Sequence, residues 1–304
     1  MRPRANAGIA AVFAAICATA TAACQNPSAQ EAVHAAAALP DLALPPPDVK
    51  SVLSDTLLVT WYGNPHTARM GVLGRYKGAE LASKLRKQAA AYAKLTTKSV
   101  VPAYHLVAVI AQPFGAKDNM WRRREARETI QSLLEEAREN HFKLILDIQP
   151  GRSTVKAEMQ HLRPFLEQPD VYLALDPEFA MREGETPGKK IGRMRAQDVN
   201  DALDFLEEII RARQLPPKVL IVHQFTMQML ADKQNVRDSA LVDVVLDVDG
   251  FGDRPLKRAI YGAVNRQHTL EFAAIKLFYK EDTNLFGEKD VMALKPEPAV
   301  IIYQ

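Results

Sequence analysis

The chain has 304 residues, with 39 Lys and Arg against 36 Asp and Glu and only two cysteines, Cys17 and Cys24. Nearly balanced charge without a basic stripe interleaved with aromatics excludes a nucleic-acid partner. Two cysteines confined to the N-terminal region leave no disulfide framework for a folded domain, which must then be held by a sizeable core.

Arg2 and Arg4 precede an apolar run over residues 7–16 and a small-residue stretch over 18–23, the grammar of a secretory signal peptide. The run is too short and too alanine-rich for a retained spanning helix, which needs roughly 20 strongly apolar residues. Thr21-Ala22-Ala23-Cys24 resembles the bacterial lipobox. That resemblance implies removal of residues 1–23 and acylation of Cys24, so that a palmitate-type lipid anchor is the only membrane contact of a protein exported to the cell envelope. Residues 24–48 are rich in Ala, Pro and Gln and close on Leu44-Pro45-Pro46-Pro47-Asp48; such a stretch buries little and reads as a tether. Residues 49–304 are the folded part, of a size that suits a single (β/α)8 barrel.

Within that part, short apolar runs recur at 57–62, 106–111, 144–148, 171–175, 219–222, 242–248, 272–279 and 299–303. Between them, residues 78–95, 124–139 and 197–213 carry helical spacing. Near-continuous apolar strands alternating with amphipathic helices predict a parallel sheet covered by helices, and eight such runs favour closure into a barrel. The basic run Arg122-Arg123-Arg124 reads as the solvated start of a helix. No Gly-x-Gly-x-x-Gly follows the first strand and no phosphate loop occurs, so no cofactor is implied. The sequence ends on the eighth run, so a helix closing the outer ring is expected to be missing or supplied from elsewhere.

In such barrels the chemistry gathers where apolar strands turn polar at their C-terminal ends. The third strand ends Asp147-Ile148-Gln149, the fourth Asp176-Pro177-Glu178, the fifth His223-Gln224 and the sixth Asp247-Val248-Asp249. Alternation of side chains puts Asp176 and Glu178 on the face of Tyr172 and Ala174, opposite Val171, Leu173 and Leu175. The bulky set suits the helix-facing layer, so Asp176 and Glu178 are expected at the barrel axis, with Glu178 at the rim. The same parity pairs Asp147 with Gln149 and Asp247 with Asp249, so several carboxylates converge on one mouth. Crowding of this kind separates carboxyl pKa values and lets two acids divide acid and base work. Trp61, Tyr62, Gln112, Lys276, Tyr279, Tyr303 and Gln304 at the remaining strand ends add the aromatic faces and hydrogen-bonding groups that a sugar ring requires.

Leu173-Ala174-Leu175-Asp176-Pro177-Glu178 resembles the Asp-x-Glu that ends the fourth strand of barrel glycoside hydrolases, including chitinases, endo-glucosaminidases and lysozyme-like muramidases. The resemblance implies a glycosidase acting on an envelope or extracellular glycan. Glu178 would be the general acid and Asp176 the group that orients substrate or stabilises the developing cation, with Asp147 or Asp249 as alternative second carboxylates. Tyr172 and Ala174 stand where family-18 chitinases carry further acids. Two other readings stay open. Asp147, Glu178, His223 and Asp249 could ligate a metal in a hydrolase, although the other histidines fall away from these strand ends and no metal is expected. A rim of aromatics, amides and Asp247 could also bind a glycan without cleaving it.

Overall fold

The computed structural model describes residues 50–115, 118–267 and 270–304. The signal, Cys24 and the tether therefore lie outside the described residues. No described helix is long and apolar enough to cross a membrane.

The strands are β1 (Thr56–Gly63), β2 (Ser99–Ala111), β3 (Arg122–Arg124), β4 (Lys143–Ile148), β5 (Val171–Leu175), β6 (Lys218–Gln224), β7 (Val242–Val248), β8 (Phe272–Leu277) and β9 (Val300–Tyr303). The helices are α1 (Gly78–Tyr92), α2 (Arg127–Glu139), α3 (Val155–Leu166), α4 (Ala196–Arg213), α5 (Arg254–Gln267) and a short α6 (Glu288–Met292). The strand order is β1-β9-β8-β7-β6-β5-β4-β2, and β1 also pairs with β2, so the sheet closes on itself. Every pairing in this ring is parallel. The fold is a (β/α)8 barrel, as the alternation of runs predicts.

Two apolar sets follow from the alternation. Leu57, Val59 and Trp61 of β1 join Val171, Leu173 and Leu175 of β5 in the layer beneath the helices. Leu58 and Tyr62 of β1 join Tyr172 and Ala174 of β5 inside the ring. Each helix contributes one apolar stripe: α1 buries Leu81, Leu85, Ala89 and Tyr92, at the spacing that keeps side chains on one face. The α3 start is fixed by Thr154, whose hydroxyl accepts from the Ala157 amide at 3.2 Å, and the α4 start by Asp198, whose carboxylate accepts from the Arg195 amide at 2.8 Å.

Four features differ from the sequence reading. Strand β2 begins at Ser99 rather than at residue 106, and its register with β4 shifts between Val107 and Val109. The bulge turns Ile110, rather than Val109, toward the interior. Arg122–Arg124 is not the start of a helix but the antiparallel strand β3 on the edge of β2. Its alternation turns Arg122 and Arg124 to the same side, where their Nε atoms donate to the fully buried Glu158 at 2.9 and 2.7 Å. The apolar run at 272–279 leaves the sheet after Leu277. Finally, the connection from β6 to β7 holds only the 3₁₀ turns Met227–Leu230 and Lys233–Asn235, and α4 packs against both of those strands.

Candidate functional site at the barrel mouth

A cavity of about 640 Å³ opens at the C-terminal ends of the strands. Its lining includes Tyr62, Gln112, Gln149, Asp176, Glu178, Asp249, Lys276 and Gln304, all named by the sequence pattern, together with Arg69, Phe179, Phe225, Phe251 and Phe278. Asp147, His223 and Asp247 are inside the ring but do not line the cavity; all three are fully buried.

The position of Glu178 is set locally. Asp176 ends β5 and its Oδ1 accepts from the Glu178 amide at 3.1 Å, starting the 3₁₀ turn Pro177–Phe179. The Gly192 amide donates to the Glu178 carbonyl at 2.6 Å. A Cβ at Gly192 would sit 2.6 Å from that same oxygen, so only glycine permits the approach. The turn leaves Glu178 half-buried at the rim. Burial raises its pKa, and the charge of Asp249 raises it further.

Asp176 is almost wholly buried. Its Oδ2 accepts from Gln149 Nε2 at 3.2 Å, and the same amide nitrogen reaches the Tyr62 hydroxyl at 3.4 Å. Burial is the main cause that pushes Asp176 up to about 8, with the charges of Asp147 and Asp249 adding to it; at neutral pH it keeps its proton. Asp249 is also raised, chiefly by burial. Lys276 Nζ stands 4.0 Å from Asp249 and 3.6 Å from the centre of the Tyr62 ring, a cation held over an aromatic face.

Beneath this floor lies a second layer. His223 Nδ1 pairs with Asp247 Oδ2 at 2.7 Å. His223 Nε2 lies 3.2 Å from Asp147 Oδ2, and His105 Nε2 lies 3.6 Å from the same oxygen, without the alignment or the reach of a hydrogen bond. Burial pushes His105 down to about 4, which leaves its ring neutral. Burial works against a charged His223, yet the Asp147 charge and the hydrogen bond to Asp247 raise its pKa well above the ordinary value. Burial alone would raise Asp147, but His223 and His105 hold it well below the usual carboxylate range.

Several residues named by the sequence pattern are elsewhere. Trp61 points outward beneath the helices, 5.8 Å from the Tyr76 ring. Tyr279 and Tyr303 stack at 5.3 Å on that outer side, and the Tyr303 hydroxyl bonds that of Tyr92 at 2.6 Å. The reason is parity: Trp61 and Tyr62 are neighbours on one strand, so only one can face inward. Gln224 is buried and engaged by Lys233 Nζ at 3.3 Å and by the Thr226 carbonyl at 3.1 Å, away from the mouth. The four-ligand metal set is not assembled either: among the described residues the groups close enough for a metal are His105, Asp147 and His223, or His223, Asp247 and Asp249, and Glu178 joins neither.

His105, absent from the sequence reading, is the main addition. Its signal was present: it lies two residues from Val107 on one face of β2. Pro102, within the strand, lacks the amide hydrogen of a central ladder and disguises where β2 begins. Phe225 and Phe251 line the mouth from loops that follow strand ends, where strand parity gives no guidance, and Phe278 joins them two residues after Lys276, on the same parity.

No model of a known protein family matches the chain, and no curated protein sequence is significantly similar to it. Solved structures similar to it include Streptomyces plicatus N-acetyl-beta-hexosaminidase in complex with Thio-NAglucal, at 10% identity and a TM-score of 0.34. A mutant of the Streptomyces plicatus enzyme in complex with the product GlcNAc gives 10% identity and a TM-score of 0.32. In each case the match covers 82% of this chain and 57% of the neighbour, so the chain spans little more than half of those enzymes.

Proposed function

We propose that the barrel mouth is the active site of a glycoside hydrolase acting on an envelope or extracellular glycan. The supporting observation is Glu178, an acid at the rim of the cavity whose pKa is raised by burial and by the Asp249 charge. Hydrolysis of a glycosidic bond uses a carboxylic acid to protonate the departing oxygen and a second carboxyl group to stabilise or trap the sugar cation or to activate water. Glu178 takes the first role, because it lines the cavity at the rim and its pKa is shifted upward, the direction a general acid needs. Asp249, beside Lys276 and lining the same cavity, is the second carboxylate. Asp176 keeps its proton and donates a hydrogen bond to the sugar, held in place by Gln149. Asp147 does not line the cavity and acts only through His223 and His105. Gln112, Gln149 and Gln304 supply amide partners for hydroxyl groups, and Phe225, Phe251 and Phe278 supply faces for the C–H side of a sugar ring.

Export and acylation at Cys24 belong to the same proposal: a lipid anchor would hold the barrel beside envelope glycan. The test is product release from purified protein on peptidoglycan and on a panel of amino-sugar and neutral oligosaccharides. Cleavage by the parent and its loss in Glu178→Gln is the expected result. Binding of a panel member without cleavage would replace this reading with a glycan-binding barrel.

A further inference from the structure

We infer that His105, Asp147 and His223 form a three-residue site for one divalent transition ion of the zinc class, its fourth position left to a water, seated beneath the cavity floor and tying β2, β4 and β6 together.

All three side chains are fully buried. Both oxygens of Asp147, both ring nitrogens of His105 and Nε2 of His223 have no hydrogen-bond partner among the described residues. A buried polar atom without a partner costs about 1–3 kcal/mol, and here the orphaned atoms include all three that face one another. The separations fit a shared cation. Asp147 Oδ2 lies 3.2 Å from His223 Nε2 and 3.6 Å from His105 Nε2, whereas ligands about 2.0–2.1 Å from a tetrahedral zinc stand about 3.3 Å apart. Two imidazoles and one carboxylate are a donor set for zinc rather than for magnesium or calcium, which take oxygen ligands.

The surroundings choose between the two possible sides of His223. On the Nδ1 side, Asp247 Oδ2 is only 2.7 Å away, a hydrogen bond and too close for two ligands of one ion. Lys276 already supplies a positive charge near Asp249 on that side. The Nδ1–Asp247 bond fixes the tautomer that leaves Nε2 free, the carboxylate–histidine–metal arrangement of outer-shell support. The ion therefore belongs on the Nε2 side. None of its ligands lines the cavity, so its role is to fix the inner ends of three strands below the carboxyl groups of the mouth, without touching substrate.

The test needs no glycan, so its outcome is independent of the hydrolase reading. Purified full-length protein is stripped with chelator and titrated with Zn²⁺ alone against a competing chromophoric chelator, and separately with Co²⁺ while the visible absorption is followed. One equivalent of Zn²⁺ per chain is expected, with a tetrahedral Co²⁺ band and a raised Tm. In Asp247→Asn the affinity should fall about 10- to 100-fold, and His105→Gln, checked for folding by circular dichroism, should lose the Co²⁺ band. Failure of the parent to bind Zn²⁺ at micromolar concentration would overturn the inference, leaving protonated His223 to balance Asp147. Binding that persists unchanged in His105→Gln or in Asp247→Asn would overturn it equally, since the ion would then sit on other residues.

Discussion

Two fully buried carboxylates in this barrel are treated in opposite ways. Glu158 on α3 accepts from Arg122 Nε at 2.9 Å, from Arg124 Nε at 2.7 Å and from Ser153 Oγ, and these partners lower its pKa despite its burial. Asp147 on β4, as deeply buried, has no hydrogen-bonded oxygen and faces two histidines. The first is a structural clasp that holds the edge strand β3 to α3. The second stores unspent electrostatic capacity a short way under the cavity at the mouth. Full satisfaction marks the group that serves the fold, and its absence marks the group available for chemistry or ligation.

The largest effect should fall on activity at the mouth. Glu178→Gln is expected to lower kcat by roughly 10²–10⁴-fold on any glycan the parent cleaves while leaving the unfolding midpoint close to the parent's; a variant with full turnover would remove Glu178 from the chemistry. Glu158→Ala should do the reverse. It removes the shared partner of Arg124 and of the buried Arg122, which keeps only Asp118, so denaturant unfolding should show a loss of about 3 kcal/mol; a loss below about 1 kcal/mol would show that the clasp is ornamental.

A third prediction concerns pH. Asp176 is raised to about 8, so the folded state holds a proton that the unfolded chain releases above about 4. The stability this contributes is complete below about pH 4 and is lost as the pH rises toward 8. Asp176→Asn should flatten the decline in stability across that window, measured by urea unfolding at a series of pH values, and an unaltered slope would place the titration elsewhere. The smallest effect is expected outside the ring. Tyr303→Phe removes the hydroxyl that meets Tyr92 and should cost about 1 kcal/mol with no change in glycan affinity by calorimetry. Weakened glycan binding in that variant would bring the outer aromatic cluster back into the site.

Much of this arrangement was legible before any coordinates. Parity along β5 orders Tyr172, Ala174 and Asp176 inward because the helices claim Val171, Leu173 and Leu175, and the same rule brings Gln149, Asp249 and Lys276 to the mouth. The rule failed where it was not applied strictly: Trp61 cannot share a face with Tyr62, and Tyr303 shares the outward face of Leu277 and Ile301. It also could not see the bulge at Val107 and Val109, which reverses the face of every later residue on β2. The charge on Arg122 and Arg124 pointed to solvent, yet the partner that draws them inward, Glu158, lies more than thirty residues along the chain. Pairings of that range are settled by the folded topology.

The missing helix between β6 and β7 gives α4 a double duty. This one helix braces both strands from outside, while His223 and Asp247 bridge the same two strands from inside. In mechanical terms one hoop and one rivet reinforce a joint that β6 and β7 already make by pairing over seven residues. Loosening of α4 would therefore be transmitted to His223 and Asp249 together, which makes the outer surface of that helix a lever on the geometry of the mouth although it stands on the far side of the sheet.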